Sequence, residues 1–229
     1  MIVEMRKGSA SEEIDAVVER AKSLGLDIQL NLGTDKTVAA ILGSNTGHLS
    51  TDTFAVLAGV ESVTRIMKPY KLASREFKAA DSLVSIDGVE IGGQRIVVMA
   101  GPCAVESKEQ LIEAAQAVKK AGASILRGGA FKPRTSPFSF QGMEKAGLEL
   151  LAMVGEQFDM PVITEVVDPN DVSLVSNYAD ILQVGSRSMQ NYALLTSIGT
   201  SKWPVVLKRG FSCTITEWLT AADYLLAGG

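Results

Sequence analysis

Between Met1 and about Pro69 the apolar positions switch between a strand-like and a helix-like period. Ile2 to Met5 is a short apolar run, and Ser9 precedes a stretch whose Ile14, Val17, Val18 and Ala21 share one helical face up to Gly25. Ile28, Leu30 and Leu32 alternate with polar residues, and Val38 to Leu42 predicts another strand after a turn at Asp35-Lys36. Asp52 to Ala58 predicts a short helix, and Ser62 to Met67 a strand that ends at Pro69. A linker follows over Tyr70 to Gln94, in which Asp87-Gly88 or Gly92-Gly93 can turn a small hairpin. From Arg95 the pattern changes to short, wholly apolar strands at Ile96–Ala100, Ser124–Arg127, Val162–Glu165, Ile181–Val184 and Val205–Lys208. Between and after them lie helical stretches around Lys108–Ala121, Gly142–Phe158, Asn170–Tyr178, Gln190–Ile198 and Thr214–Leu226.

These patterns predict an α/β chain with two kinds of architecture. The βαββαβ order over residues 1–69 is that of the ferredoxin-like split unit. Continuous apolar strands separated by amphipathic helices over residues 95–229 predict a parallel sheet buried on both faces. Its five βα units match the first five of a TIM (β/α)8 barrel, which in closed form takes eight units and about 250 residues. The expected domains are therefore 1–69, a hairpin-bearing linker 70–94, and an incomplete barrel 95–229.

Composition narrows the function classes. The 229 residues are 46% hydrophobic and 21% charged, with a formal net charge of −4, which excludes a generally basic nucleic-acid binder. No apolar run reaches the roughly 18 residues of a membrane span, and Met1 to Arg20 is too acidic for a signal peptide. Two cysteines, Cys103 and Cys213, do not make a disulfide framework and suit a reducing compartment. A cytoplasmic protein without nucleic-acid or membrane partners is expected.

Ligands of barrels and open α/β sheets bind beyond the carboxyl ends of the strands. Here each strand ends in a charged or metal-capable group. The first runs into Gly101-Pro102-Cys103, the second into Arg127 and then Lys132-Pro133-Arg134-Thr135, the third into Glu165, the fourth into Arg187, and the fifth into Lys208-Arg209. Six cations against one carboxylate, in a chain of net charge −4, predict a cradle for phosphate and carboxylate groups. Surface ion pairs at loop ends are the plainer reading of any one of them. Gly101-Pro102 and Gly128-Gly129 would let a ligand approach the backbone closely, although glycine pairs also mark simple turns. Cys103 reads as a metal ligand, a nucleophile or an inert small hydrophobe. Cys213 reads as structural, and His48, alone in a polar loop, as a surface residue.

GPCAVES at Gly101–Ser107, LRGGAFKPRTSPFSFQG at Leu126–Gly142, TEV at Thr164–Val166, QVGSRSMQN at Gln183–Asn191 and LKRGF at Leu207–Phe211 resemble successive signatures of one family. This is the Iβ type of 3-deoxy-D-arabino-heptulosonate 7-phosphate (DAHP) synthase, and the resemblance runs from Met1 to Gly229. It includes a ferredoxin-like amino-terminal domain and the connector Lys68–Phe77. The resemblance implies condensation of phosphoenolpyruvate with erythrose 4-phosphate, the first step of the shikimate pathway leading to aromatic amino acids. It places Arg127, Lys132, Arg187 and Lys208 on phosphoenolpyruvate, with Lys132 also a proton-transfer candidate, and Arg134 and Thr135 on erythrose 4-phosphate. Glu165 would lie near the enol carbon and orient water, and Cys103 would be one ligand of a divalent metal acting as a Lewis acid. A homo-oligomer, tetrameric in the family, and a tyrosine or phenylalanine effector on the amino-terminal domain are further expectations.

The match has gaps. The family's other metal ligands, a His, a Glu and an Asp, and one phosphate-binding Arg belong to its last three strands, which this sequence does not contain. An inactive chain with a poorly folded larger domain is therefore expected. Two rival readings stand beside it. The related octulosonate 8-phosphate synthase shares the Gly-Pro-Cys start but carries a Lys-Ala-Asn-Arg-Ser type sequence where this chain has Lys132–Ser136. An amino-acid- or anion-binding regulatory protein without turnover is the other.

Overall fold

The structure, a computed structural model, describes residues 1–33, 36–65 and 68–229. It divides into two units, Met1–Ala80 and Asp81–Gly229. Among the described residues no helix is long and apolar enough to cross a membrane.

The first unit consists of β1 (Ile2–Met5), α1 (Ser11–Ser23), β2 (Asp27–Leu32), β3 (Thr37–Leu42), α2 (Asp52–Ala55) and β4 (Val60–Thr64). Its strands form one antiparallel sheet in the order β2-β3-β1-β4, the ferredoxin-like arrangement. Alternate residues of β1 point to opposite faces, and both faces are covered, which is why Ile2 as well as Val3 and Met5 is apolar while Glu4 is only half-buried. Met1, Val3 and Met5 meet Val17, Ala21, Phe54 and Val60 on one face. Ile2 points to the other face, where Ala40, Leu72 and Phe77 cover it. Leu72 and Phe77 belong to the stretch read as linker, so residues 70–80 are part of this unit and only the remainder leads to the hairpin.

Three local expectations change. Ala10, not Ser9, is the N-cap of α1: its backbone N–H donates to the Glu13 carboxylate at 2.9 Å, while the Ser9 hydroxyl donates to the Arg6 and Gly59 carbonyls. The second helix ends at Ala55, short of Ala58. Strand β4 stops at Thr64; Asp35 of the expected turn and Met67 of the expected strand lie outside the described residues.

Met1 is 2% exposed, and its amino group donates to the Ile41 carbonyl at 3.0 Å. Burial, with Lys71 and Arg65 nearby, pushes that amine from an ordinary 8.0 down to about 6. The charged form is thus the one folding disfavours, and the unfolded chain takes up the proton first as pH falls. This unit should keep its full stability above about pH 8, lose up to roughly 2 kcal/mol between 8 and 6, and level off below. Urea midpoints of the β1 and β3 amide signals at the two pH values measure it.

The second unit opens with the hairpin β5 (Val84–Ile86) and β6 (Val89–Ile91). Asp87 and Gly88, both at positive φ (43° and 80°), make its two-residue turn. Then come β7 (Met99–Ala100), α3 (Lys108–Lys120), β8 (Ile125–Arg127), α4 (Glu144–Gln157), β9 (Val162–Glu165), α5 (Val172–Ser176), β10 (Ile181–Val184), α6 (Tyr192–Ser201), β11 (Val205–Leu207) and α7 (Ile215–Leu226). The five strands form one parallel sheet in sequential order, as in a stretch of (β/α)8 barrel, with β7 and β11 at its edges.

Both faces are covered. Leu126, Val162, Leu182 and Val184 pack against helix residues such as Leu111, Leu148, Leu151 and Leu195. On the opposite face Ile125, Ile163 and Ile181 meet Ile86, Val89 and Ile91 of the hairpin. The hairpin thereby seals the amino end of the sheet's inner face. Each fully buried Leu or Ile of this kind contributes roughly 1.5–3 kcal/mol. The expected first strand is shortened: Ile96 and Val98 are 93% and 46% exposed, and only Met99 and Ala100 pair with β8. An apolar run becomes a ladder only where a neighbour offers backbone partners.

Candidate active site

The carboxyl ends of the five strands converge on one cavity of about 290 Å³. Cys103 reaches it from the loop after β7, and Arg127 from the last position of β8. Lys132, Pro133, Arg134 and Thr135 enter from the loop before α4, and Glu165 from the last position of β9. Arg187 stands on the helical turn Ser186–Ser188 after β10, and Lys208 directly follows β11. Every site residue named from the sequence lines this space. Arg209, also placed at the rim from the sequence, is exposed and not part of the lining.

Lys132 is only 8% exposed, and its ammonium donates to the Cys103 carbonyl at 2.7 Å and to its Sγ at 3.3 Å. Arg127 Nη1 donates to the Pro102 carbonyl at 3.1 Å and to the Cys103 carbonyl at 3.5 Å. Arg134 Nε donates to the Phe140 carbonyl at 3.1 Å, and the Arg187 guanidinium lies 5.7 Å from the centre of the Phe211 ring. Among the described residues none of these cations, nor Lys208, forms an ion pair with a carboxylate. Five cations facing one carboxylate leave a strongly positive space in a protein of net charge −4. Guanidinium forks and ammonium donors left unneutralised are the groups that grip phosphate and carboxylate oxygens. The Lys132 hydrogen bond and charge, aided by Arg127, hold the Cys103 thiol below the usual thiol range.

The glycines serve packing more than ligand access. A Cβ on Gly129 would meet the Cys103 carbonyl at 2.7 Å and Lys132 Cδ at 2.9 Å, so the bare Cα makes room for Lys132. On Gly128 it would touch Leu151 and Val105 methyls at 3.0 Å, and on Gly101 it would lie 2.0 Å from the Arg127 carbonyl. The backbone approach read from these pairs is therefore protein against protein.

Two polar residues beside the cavity were not singled out from the sequence. Thr164, 1% exposed, accepts at its hydroxyl from Ala130 N–H, which anchors the loop carrying Lys132. Gln183, 7% exposed, donates from Nε2 to Glu165 Oε2 at 3.2 Å. A polar residue inside an otherwise apolar, doubly buried strand was the signal available.

A catalytic divalent metal normally takes about three protein ligands. Among the described residues no three His, Cys, Asp or Glu side chains come together, at Cys103 or elsewhere. Glu165 lines the same space but is bonded to Gln183. The residues present do not fit a complete metal centre.

The family models that match are "DAHP synthase ferredoxin-like domain" over residues 1–68 and "DAHP synthetase I family" over residues 80–229. A phospho-2-dehydro-3-deoxyheptonate aldolase from Thermotoga maritima is 44% identical over 229 residues, all of this chain and 68% of that protein. A crystal structure of that organism's DAHP synthase superposes with a TM-score of 0.69 at 43% identity, over 99% of this chain and 66% of the other. A truncated form of the Thermotoga maritima enzyme gives a TM-score of 0.64 at 40% identity, over 70% of this chain and 58% of the other. A 2-dehydro-3-deoxyphosphooctonate aldolase from Desulfatibacillum aliphaticivorans is 34% identical over 125 residues, 52% of this chain and 46% of that protein. This chain thus spans about two thirds of the length of the heptulosonate relative. The ferredoxin-like unit, the run of parallel βα units with its cationic cavity, and these matches place the chain in the DAHP synthetase I family.

Proposed function

We propose that the cavity is the substrate site of a DAHP synthase, condensing phosphoenolpyruvate with erythrose 4-phosphate. The observation that carries this is the set of five unneutralised cations around one carboxylate at the carboxyl ends of the strands. Phosphoenolpyruvate brings a phosphate and a carboxylate, and its partner brings a second phosphate. Arg127, Lys132, Arg187 and Lys208 take the first molecule, and Arg134 and Thr135 the second. In the reaction, C3 of the enol attacks the aldehyde carbon, water adds at C2, and the C2–O bond to phosphate breaks. Lys132 and Glu165 both line the cavity; in this reading Lys132 hands a proton to the new hydroxyl and Glu165 orients the water. The cationic walls offset the charge of the accumulating phosphate. A divalent metal with Cys103 as one ligand needs donors beyond those gathered here. A cytoplasmic homo-oligomer with an aromatic amino-acid effector site on the first unit completes the reading.

The octulosonate alternative rests on relatives that match about half of this chain. The Lys132-Pro133-Arg134-Thr135-Ser136 run favours the four-carbon aldehyde over the five-carbon one. Calorimetry with phosphoenolpyruvate, followed by phosphate release with each aldehyde phosphate and added divalent metal, tests both readings. Phosphoenolpyruvate should bind with an affinity that falls as salt rises, and Arg187→Ala should weaken it by tenfold or more, or about 1.4 kcal/mol. Phosphate release with arabinose 5-phosphate but not erythrose 4-phosphate would transfer the assignment to the octulosonate type. No binding of phosphoenolpyruvate at all would leave only an amino-acid- or anion-binding regulatory protein.

A further inference from the structure

Glu165 is the carboxylate of the cavity, yet among the described residues no cation forms an ion pair with it. Arg127, Lys132 and Arg134 spend their described hydrogen bonds on the Pro102, Cys103 and Phe140 carbonyls and the Cys103 sulfur. What meets Glu165 instead comes from the neighbouring strand. Parallel pairing of β9 with β10 puts Gln183 opposite Glu165, so both side chains leave the sheet on one face. There the Gln183 amide donates to Glu165 Oε2 at 3.2 Å, both residues being less than a tenth exposed. Two residues on, a Cβ built on Gly185 would lie 1.9 Å from Glu165 Oε1. A side chain of any kind at 185 would therefore displace the second oxygen. The two carboxylate oxygens are thus fixed separately, one by a donor and one by an absence of bulk.

We propose that Gln183 and Gly185 are positioning residues that hold the Glu165 carboxylate in one orientation at the reacting end of the cavity. This rests on the condensation reading above. Space-filling alone does not account for Gln183, because Leu or Met would fill the same volume without bringing a buried amide that needs partners. The amide is useful at that place because it can only donate to Oε2, which leaves Oε1 to the cavity side and to Gly185. Held so, the carboxylate reaches the adding water without first having to turn, and the benefit appears in turnover more than in binding.

The variants Gln183→Leu, Gln183→Glu and Gly185→Ala test the assignment, with two readouts. In condensation assays Gln183→Leu should lower kcat roughly 10- to 100-fold while KM for phosphoenolpyruvate stays within about twofold. Gln183→Glu keeps the shape but turns the donor into an acceptor. Two carboxylates at that distance hold a proton between them, so its rate should follow a pH profile different from that of the unmodified protein. Gly185→Ala should lower kcat in the same way. Unchanged kcat in both Gln183 variants overturns the proposal, and a Gln183→Glu variant indistinguishable from the unmodified protein reduces Gln183 to packing. The second readout needs no turnover. The Gln183 side-chain amide signal, identified by its loss in Gln183→Leu, should exchange with solvent at least about tenfold more slowly than that of exposed Gln94, and should shift in Glu165→Gln. Free exchange and no shift overturn the proposal whatever the enzyme does. If the unmodified chain shows no condensation, as expected where the described residues gather no complete metal centre, the amide signal decides this assignment by itself.

Discussion

Replacing Lys132 with methionine should abolish useful phosphoenolpyruvate binding and slow alkylation of Cys103 in the same protein. Lys132 is the most deeply placed cation of the cavity, 8% exposed, with its ammonium between the Cys103 carbonyl and sulfur. A buried charge removed from a phosphate or carboxylate site costs about 3 kcal/mol, or more than a hundredfold in affinity. The same charge holds the thiol low, so its loss returns Cys103 toward ordinary thiol behaviour. A depressed thiol titrates earlier on the way up in pH, so more thiolate is present at neutral pH and iodoacetamide reacts faster than with an ordinary cysteine. Lys132→Met should remove that advantage, and Lys132→Arg should keep the charge but not the fit, because Gly129 leaves room only for a slender chain. Calorimetry and the rate of Cys103 labelling, followed by peptide mass analysis, read the two effects. If Lys132→Met binds phosphoenolpyruvate as well as the unmodified protein, the cavity is not the anion site.

A second large effect is expected from one methyl group at Gly142. The loop from Lys132 to Gln141 carries Arg134 and Thr135, and its ends are tied by the Phe131–Gly142 bridge and the Lys132 N–H bond to the Gln141 carbonyl. Gly142 sits at φ +107°, and a Cβ there would lie 2.0 Å from the Ala130 carbonyl. Alanine must therefore both adopt a disfavoured backbone and push another segment aside, at a cost of about 3 kcal/mol. Urea unfolding followed by the fluorescence of Trp203 and Trp218 should report the loss. Erythrose 4-phosphate, which this loop is proposed to grip, should lose affinity more than phosphoenolpyruvate, whose contacts Arg127, Arg187 and Lys208 stand at or just past the ends of β8, β10 and β11. Equal losses for both substrates would mean that the loop does not discriminate between them.

The order of elements was legible in the sequence because it depends on local periods. Apolar runs such as Ile181–Val184 and stripes such as Leu111 with Ala115 report strand or helix from spacing alone. The charged residues that end those runs were legible for the same reason, since a parallel sheet places every carboxyl end on one side. Failures fell where a residue's state depends on partners distant in the chain. Ile96 and Val98 have strand composition, but they lie exposed at the sheet edge, where Val98 offers only its carbonyl to Ser124 and the paired ladder starts at Met99. Leu72 and Phe77 looked like connector, yet they cover a face of β1 and β3 that no local pattern reveals. Gly128-Gly129 suggested an opening for a ligand, and the space is filled by Leu151, Val105 and Lys132.

The amino-acid sequence by itself determined the two architectures, the strand order and which cations stand at the strand ends, because these follow from periodicity and chain direction. Only the tertiary structure decided that Cys103 lies against Lys132, that Glu165 is held by Gln183 and admitted by Gly185, and that Arg209 falls outside the cavity. Those pairings depend on register and on side-chain volumes across separate strands, which spacing along one chain does not encode.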